Sequence, residues 1–138
     1  MHNISDILSS ASLLVAILTT IYSLFYPEIK GVLDISPKSG SLKKDNALDY
    51  EKAKIIRNSK VIPLFFGSIV LTLVFIPEFI NQLKIAYQYY RSTGFDMENY
   101  NTATASFVVV TAFSILLTVN IIIISFKYMI QLKNLNPE

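Results

Sequence analysis

The sequence predicts an all-α membrane protein, with three transmembrane helices and one amphipathic cytoplasmic helix in the first loop. Three observations carry that expectation. Between Asp6 and Glu28, and again between Glu98 and Lys127, the chain has no charged residue. Between Lys60 and Lys84 it has one, Glu78. Each window reaches the roughly 20 apolar residues that cross the hydrocarbon core of a bilayer. The mean hydropathy of +0.47 averages over the polar stretch from Glu28 to Lys60, so the windows themselves are more apolar than that mean. A chain of 138 residues built this way is expected to form a single transmembrane domain with no second globular unit.

The first span is expected over residues 7–26. No lysine or arginine precedes it and no small-residue cleavage pattern follows it, so it reads as an anchor rather than a cleaved signal. Ser5, Ser9, Ser12, Ala16, Thr19 and Ser23 recur at alternating steps of four and three, and Thr20 joins them. These steps put the small and hydroxyl side chains on one narrow helical face. Such a face lets helices approach closely and hydrogen-bond across their contact. It suits packing inside the three-helix unit, a contact between subunits, or a polar pore wall.

Pro27 is expected to end the first helix. Gly31, Pro37 and Gly40 interrupt the next stretch, and 30–36 reads as a short extended segment. From Asn46 the pattern turns helical. Asn46 suits an N-cap, and Asp49 and Glu51 fall in the first turns, where the helix dipole favours acids. Leu48, Lys52, Ile55 and Ser59 share a face, joined by Ile56, which predicts an amphipathic helix over 47–58. Pro63 fits a first helical turn and marks a break from the second span.

The second span is expected over 61–80. Pro77 predicts a kink or an end to the buried section. The helix is expected to run on through Asn81 to Arg91, with Leu83, Ala86 and Tyr90 along one face. Gly94 is the expected stop, in a short polar loop over 92–102. The third span is expected over 103–126. Thr104, Thr111, Ser114, Thr118 and Ser125, with Phe107 and Ile121, form a second stripe, and Asn120 lies on the opposite side. An amide in mid-membrane needs a partner, and two polar faces on one helix exceed what two companion helices satisfy. That favours a homo-oligomer, the alternative being a partner for Asn120 on a neighbouring span of the same chain.

Basic residues set the expected orientation. The first loop (28–60) holds Lys30, Lys38, Lys43, Lys44, Lys52, Lys54, Arg57 and Lys60. The second holds Lys84 and Arg91, and the C-terminal segment holds Lys127 and Lys133. The positive-inside rule then predicts the N-terminus outside and the C-terminus inside. Tyr22, Phe25 and Tyr26 at one end, and Tyr87, Tyr89, Tyr90, Phe95 and Tyr100 at the other, suit the headgroup level. Ten lysines against two arginines, with abundant isoleucine and asparagine, suggest an AT-rich bacterial or phage genome, hence a bacterial inner membrane.

Catalysis is not expected. The chain has no cysteine and one histidine, His2, and no cofactor or metal site is indicated. No carboxylates pair within a span, and no base lies beside the span serines. The expected function is a homo-oligomeric membrane pore or ion channel, because three helices cannot enclose a water path and symmetry must supply the rest. Glu78 would sit at the outer mouth, where a carboxylate ring attracts cations. Thr111, Ser114, Thr118 and Asn120 would contribute to the pore, while Ser9, Ser12, Ala16, Thr19 and Ser23 would pack helices. Lys43, Lys44, Lys52, Lys54, Arg57 and Lys60 would contact anionic membrane lipids, or dock an anionic nucleotide or oligonucleotide that gates the pore. A membrane effector of anti-phage defence is a setting that fits by analogy.

In topology and size the layout resembles that of class I holins, which implies a phage lysis protein as one alternative. The loop from Glu28 to Lys60 is longer than in that group, and the C-terminal tail is less basic. A non-conducting accessory or scaffold subunit is the other alternative.

Overall fold

The structure, a computed structural model, describes residues 4–38, 45–94 and 101–137. It is helical throughout: α1 spans Ile4–Leu33, α2 Ala47–Ile56, α3 Ile62–Thr93 and α4 Thr102–Leu135. A π-helical turn, Arg57–Val61, joins α2 to α3. Three helical lengths, α1, the continuous rod Ala47–Ser92 and α4, are long and apolar enough to cross a membrane. Among the described residues there is no strand.

Several boundaries differ from the sequence expectation. Helix α1 does not stop at Pro27 but continues to Leu33, so most of the expected extended segment is helical. The reason is burial past the proline. Ile29 and Val32 are almost fully buried in a cluster with Ala53, Tyr128, Leu132 and Leu135. Burying two branched aliphatic side chains contributes about 3–6 kcal/mol, which matches or exceeds the roughly 3 kcal/mol that an interior proline costs.

The expected break at Pro63 is also absent. The N–H of Ile62 reaches back to the carbonyl of Arg57, a π-type step that ends where Pro63 has no N–H to give. Asn46 does not cap α2. Its side chain instead clamps the preceding loop, accepting from Lys38 N at 3.0 Å and donating to Lys38 O at 2.9 Å. Helix α2 lies where expected but turns a different face inward. Ala53 is buried and Tyr50 and Ile56 are half-buried, whereas Leu48 and Ile55 are exposed. An alanine at the contact lets α2 lie close against the bundle.

Other signals hold. Helix α3 passes through Pro77 and ends at Gly94, whose φ of 74° is readily adopted only by glycine, and whose N–H bonds to Tyr90 O at 2.9 Å. Asn101 caps α4, its side chain accepting from Ala103 N and Thr104 N.

Helix α4 packs along both α1 and α3. Its buried stripe runs Phe107, Thr111, Ser114, Thr118, Ile121, Ser125, Tyr128, Leu132 and Leu135. Two apolar clusters result. One, at the α2 end, centres on Leu18, Ile29, Val61, Leu64, Ile121 and Tyr128. The other, at the opposite end, holds Ala11, Phe75 and Phe107, with the two rings edge to face at 6.4 Å. A belt of buried hydroxyls separates them. Beyond the second cluster α3 runs on, and Leu83, Ile85, Tyr87, Tyr89 and Tyr90 are all exposed.

Candidate functional site

The hydroxyl belt comes from α3 and α4. Ser68, Thr72, Thr111, Ser114 and Thr118 are all buried. Thr118 Oγ1 donates to the carbonyl of Ser68 at 3.2 Å. Its single proton is thereby used, so in the 2.7 Å contact between Thr72 and Thr118 the donor is Thr72. In the 3.4 Å contact between Ser114 and Thr72, Ser114 then donates. The result is a directed chain, Ser114 to Thr72 to Thr118 to the Ser68 backbone. Thr111 lies on the same stripe, but its Oγ1 is buried with no hydrogen-bond partner among the described residues.

The stripe expected to face a pore therefore faces the interior of the bundle. Thr111, Ser114 and Thr118 are used to pack α4, because Ser68 and Thr72 on α3 supply matching hydroxyl and carbonyl groups. Sequence reading missed those two partners: Ser68 and Thr72 are four apart on one face of the second span, a signal available in the sequence. Asn120 alone of the expected pore residues on α4 stands exposed.

The α1 face of small and hydroxyl residues is not used for packing inside the bundle. Ser9, Ser12, Ala16, Thr20 and Ser23 are exposed, and Thr19 is half-buried. Helix α1 buries Ala11, Val15, Leu18, Ile29 and Val32 instead. Ser9 donates to Ser5 O at 2.9 Å, Thr19 to Val15 O at 2.8 Å and Thr20 to Ala16 O at 2.9 Å. With their protons turned to the backbone, these hydroxyls keep their lone pairs available as acceptors.

Two open grooves run between α1 and α4. One, about 720 Å³, lies between Ser12, Ala16, Thr19, Thr20 and Ser23 of α1 and Val109, Val110 and Phe113 of α4. The other, about 460 Å³, lies nearer α2 and is lined by Tyr26, Lys30 and Asp34 with Ile124, Lys127 and Gln131. Phe113, Asn120 and Lys127 are seven residues apart, so they share one helical face. Asn120 thus lies on the same side of the bundle as the α1 hydroxyls.

Glu78 is half-buried, and Gln82 one turn on donates to its Oε1. The described basic residues of the first loop have different surroundings. Lys60 pairs with Glu28 and sits 5.3 Å from the Phe25 ring. Arg57 Nε donates to Asn58 at 2.9 Å. Lys52 and Lys54 are exposed; two positions apart, they point about 200° apart around α2. Lys43 and Lys44 lie outside the described residues, as do His2, Phe95, Asp96, Glu98 and Tyr100.

No protein-family model matches the chain, and neither curated proteins nor solved structures yield a match.

Proposed function

We propose that this chain is an integral membrane protein that assembles with copies of itself into a pore or ion channel. The observation that carries the reading is the polar face shared by α1 and α4. Ser9, Ser12, Thr20, Ser23 and Asn120 are exposed on one side of the bundle, within lengths that carry no charge. Facing lipid, Asn120 would leave an amide without partners, at a cost of several kcal/mol. Facing a shared water path, it is solvated, and the hydroxyl oxygens beside it offer acceptors to a passing cation. Three helices cannot enclose such a path, so a closed ring of subunits does.

Self-association has separate support. Ile76, Ile80, Leu83, Tyr87 and Tyr90 step by four and three along α3, and the last four are exposed. This heptad spacing is that of a helix paired with another helix. Its outer part lies on the stretch over 81–93, which extends past the bundle by roughly 20 Å at helical rise.

In this reading the N-terminus lies outside a bacterial inner membrane and the C-terminus inside, with α2 on the cytoplasmic surface. Glu78, the one ionisable side chain in the apolar part of α3, then lies towards the outer mouth. The test is ion flux through liposomes that contain the purified chain. Flux that falls when Asn120 is changed to leucine supports the reading. No flux under any ionic condition removes it and leaves the scaffold role, for which the exposed α3 heptad is also suited.

A further inference from the structure

We propose that the groove between α1 and α4 binds one anionic phospholipid, its phosphate between Lys30 and Lys127. The proposal rests on the membrane reading above, but not on conduction.

Charge position is the first argument. Lys127 is the first charged residue after the uncharged length of α4, and Glu28 and Lys30 are the first after that of α1. The groove that unites Lys30 and Lys127 therefore lies where hydrocarbon gives way to headgroups. Glu28 faces elsewhere, paired with Lys60.

Charge balance is the second. Lys30 and Lys127 make no ion pair among the described residues. The one carboxylate in the groove is Asp34, so two ammonium groups face one carboxylate, leaving a net positive charge for an anion to neutralise. Tyr26 adds a phenol of the type that favours the headgroup level. Gln131 is held in place because its amide donates to the carbonyl of Ile35.

The surface beyond has the shape for an acyl chain. Leu33, Ile124 and Ile130 give this groove apolar walls. The second groove continues along the same α1–α4 seam with Ser23, Leu24, Thr20 and Phe113. One leaflet's hydrocarbon is about 15 Å deep, or some ten residues of helix. An acyl chain whose headgroup sits at Lys30 therefore reaches to Thr20. A lipid seated this way covers the α2-end half of the exposed hydroxyl face. It acts as a removable plug on the path proposed above. A soluble phosphate would use the two lysines but leave the apolar walls uncovered, which is why the lipid is the favoured occupant.

The experiment is native mass spectrometry of the full chain in mild detergent, titrated with phosphatidylglycerol. The expected result is one tightly retained lipid per chain, with phosphatidylcholine retained far less. Lys30→Gln with Lys127→Gln should weaken retention roughly thirtyfold, at one anionic-lipid contact per lysine. Lys30→Arg with Lys127→Arg should keep it, with helix content by circular dichroism unchanged in both. Lys52→Gln with Lys54→Gln should leave retention as in the wild type.

Equal retention by the glutamine variant, or equal retention of phosphatidylcholine, overturns the proposal. Displacement by excess inorganic phosphate overturns the lipid as occupant and assigns the lysines to a soluble anion. Because retention is read without any flux, a lipid site that fails and a pore that fails are told apart.

Discussion

Tyr128 of α4 donates its hydroxyl to the backbone carbonyl of Ala53 in α2 at 2.8 Å, joining residues 75 positions apart. The tyrosine is fully buried, and Ala53 is its close neighbour because alanine leaves the α2 backbone accessible. The same carbonyl accepts the N–H of Arg57, where the π-turn begins. This bond ties α2 to the end of the bundle. Tyr128→Phe keeps the ring and removes the tie, so it should cost about 1 kcal/mol. A lower thermal midpoint in detergent, with local loss of amide protection over 47–56, is the expected outcome. Unchanged protection there would mean that packing alone holds α2.

The hydroxyl belt separates two substitutions that look alike in sequence. Thr72→Val removes the middle of the donor chain and strips both Ser114 and Thr118 of a partner. Interhelical bonds of this kind average about 0.6 kcal/mol and reach about 1.7 kcal/mol. Thr111→Val removes a buried hydroxyl that bonds to nothing and should be neutral or stabilising. Denaturant midpoints for the two variants should therefore move apart.

Lys60 and Glu28 connect the π-turn to the far end of α1. Both side chains keep contact with solvent, at 24% and 50% exposure, so screening limits the pair. A double-mutant cycle with Lys60→Gln and Glu28→Gln should give a coupling below about 1 kcal/mol that shrinks as salt rises. A large, salt-independent coupling would mean that the pair is buried in the assembled protein.

On the extension of α3, Leu83 and Tyr87 are exposed at 43% and 66%. Leu83→Lys with Tyr87→Lys should disrupt the assembly without unfolding the bundle, since neither residue belongs to its core. Native mass spectrometry should show smaller species with unchanged helix content. An oligomer of unaltered size would move the subunit contact away from this seam.

Much of this arrangement is legible before folding. Windows with no charge, or with Glu78 alone, located all three long helices, because long apolar runs suit a membrane. The periodic stripes on α1 and α4 were also real faces. What the period alone does not reveal is direction. A small-residue stripe and a hydroxyl stripe each suit either the inside or the outside of a bundle. The choice depended on Ser68 and Thr72, which provide partners for the stripe on α4 but not for the one on α1. Pro27 and Pro63 misled for a related reason. Local breaking signals lost to burial of Ile29 and Val32 in one case and to a π-type step in the other. For α2 the apolar positions were too few to fix a face, and Ala53, the smallest of them, took the contact.

If the chain forms a pore, the α1 hydroxyl face, and not the buried belt, meets water. The chain has no cysteine, so single substitutions report cleanly. Ser12→Cys, Thr20→Cys, Ser114→Cys and Leu73→Cys should be compared in phosphatidylcholine vesicles by the labelling rate of a water-soluble, membrane-impermeant thiol reagent. Labelling should be fast at positions 12 and 20, and slow at buried Ser114 and at Leu73, which is exposed on α3 away from that face. Labelling at positions 12 and 20 no faster than at position 73 would place the α1 face against lipid and remove the water path.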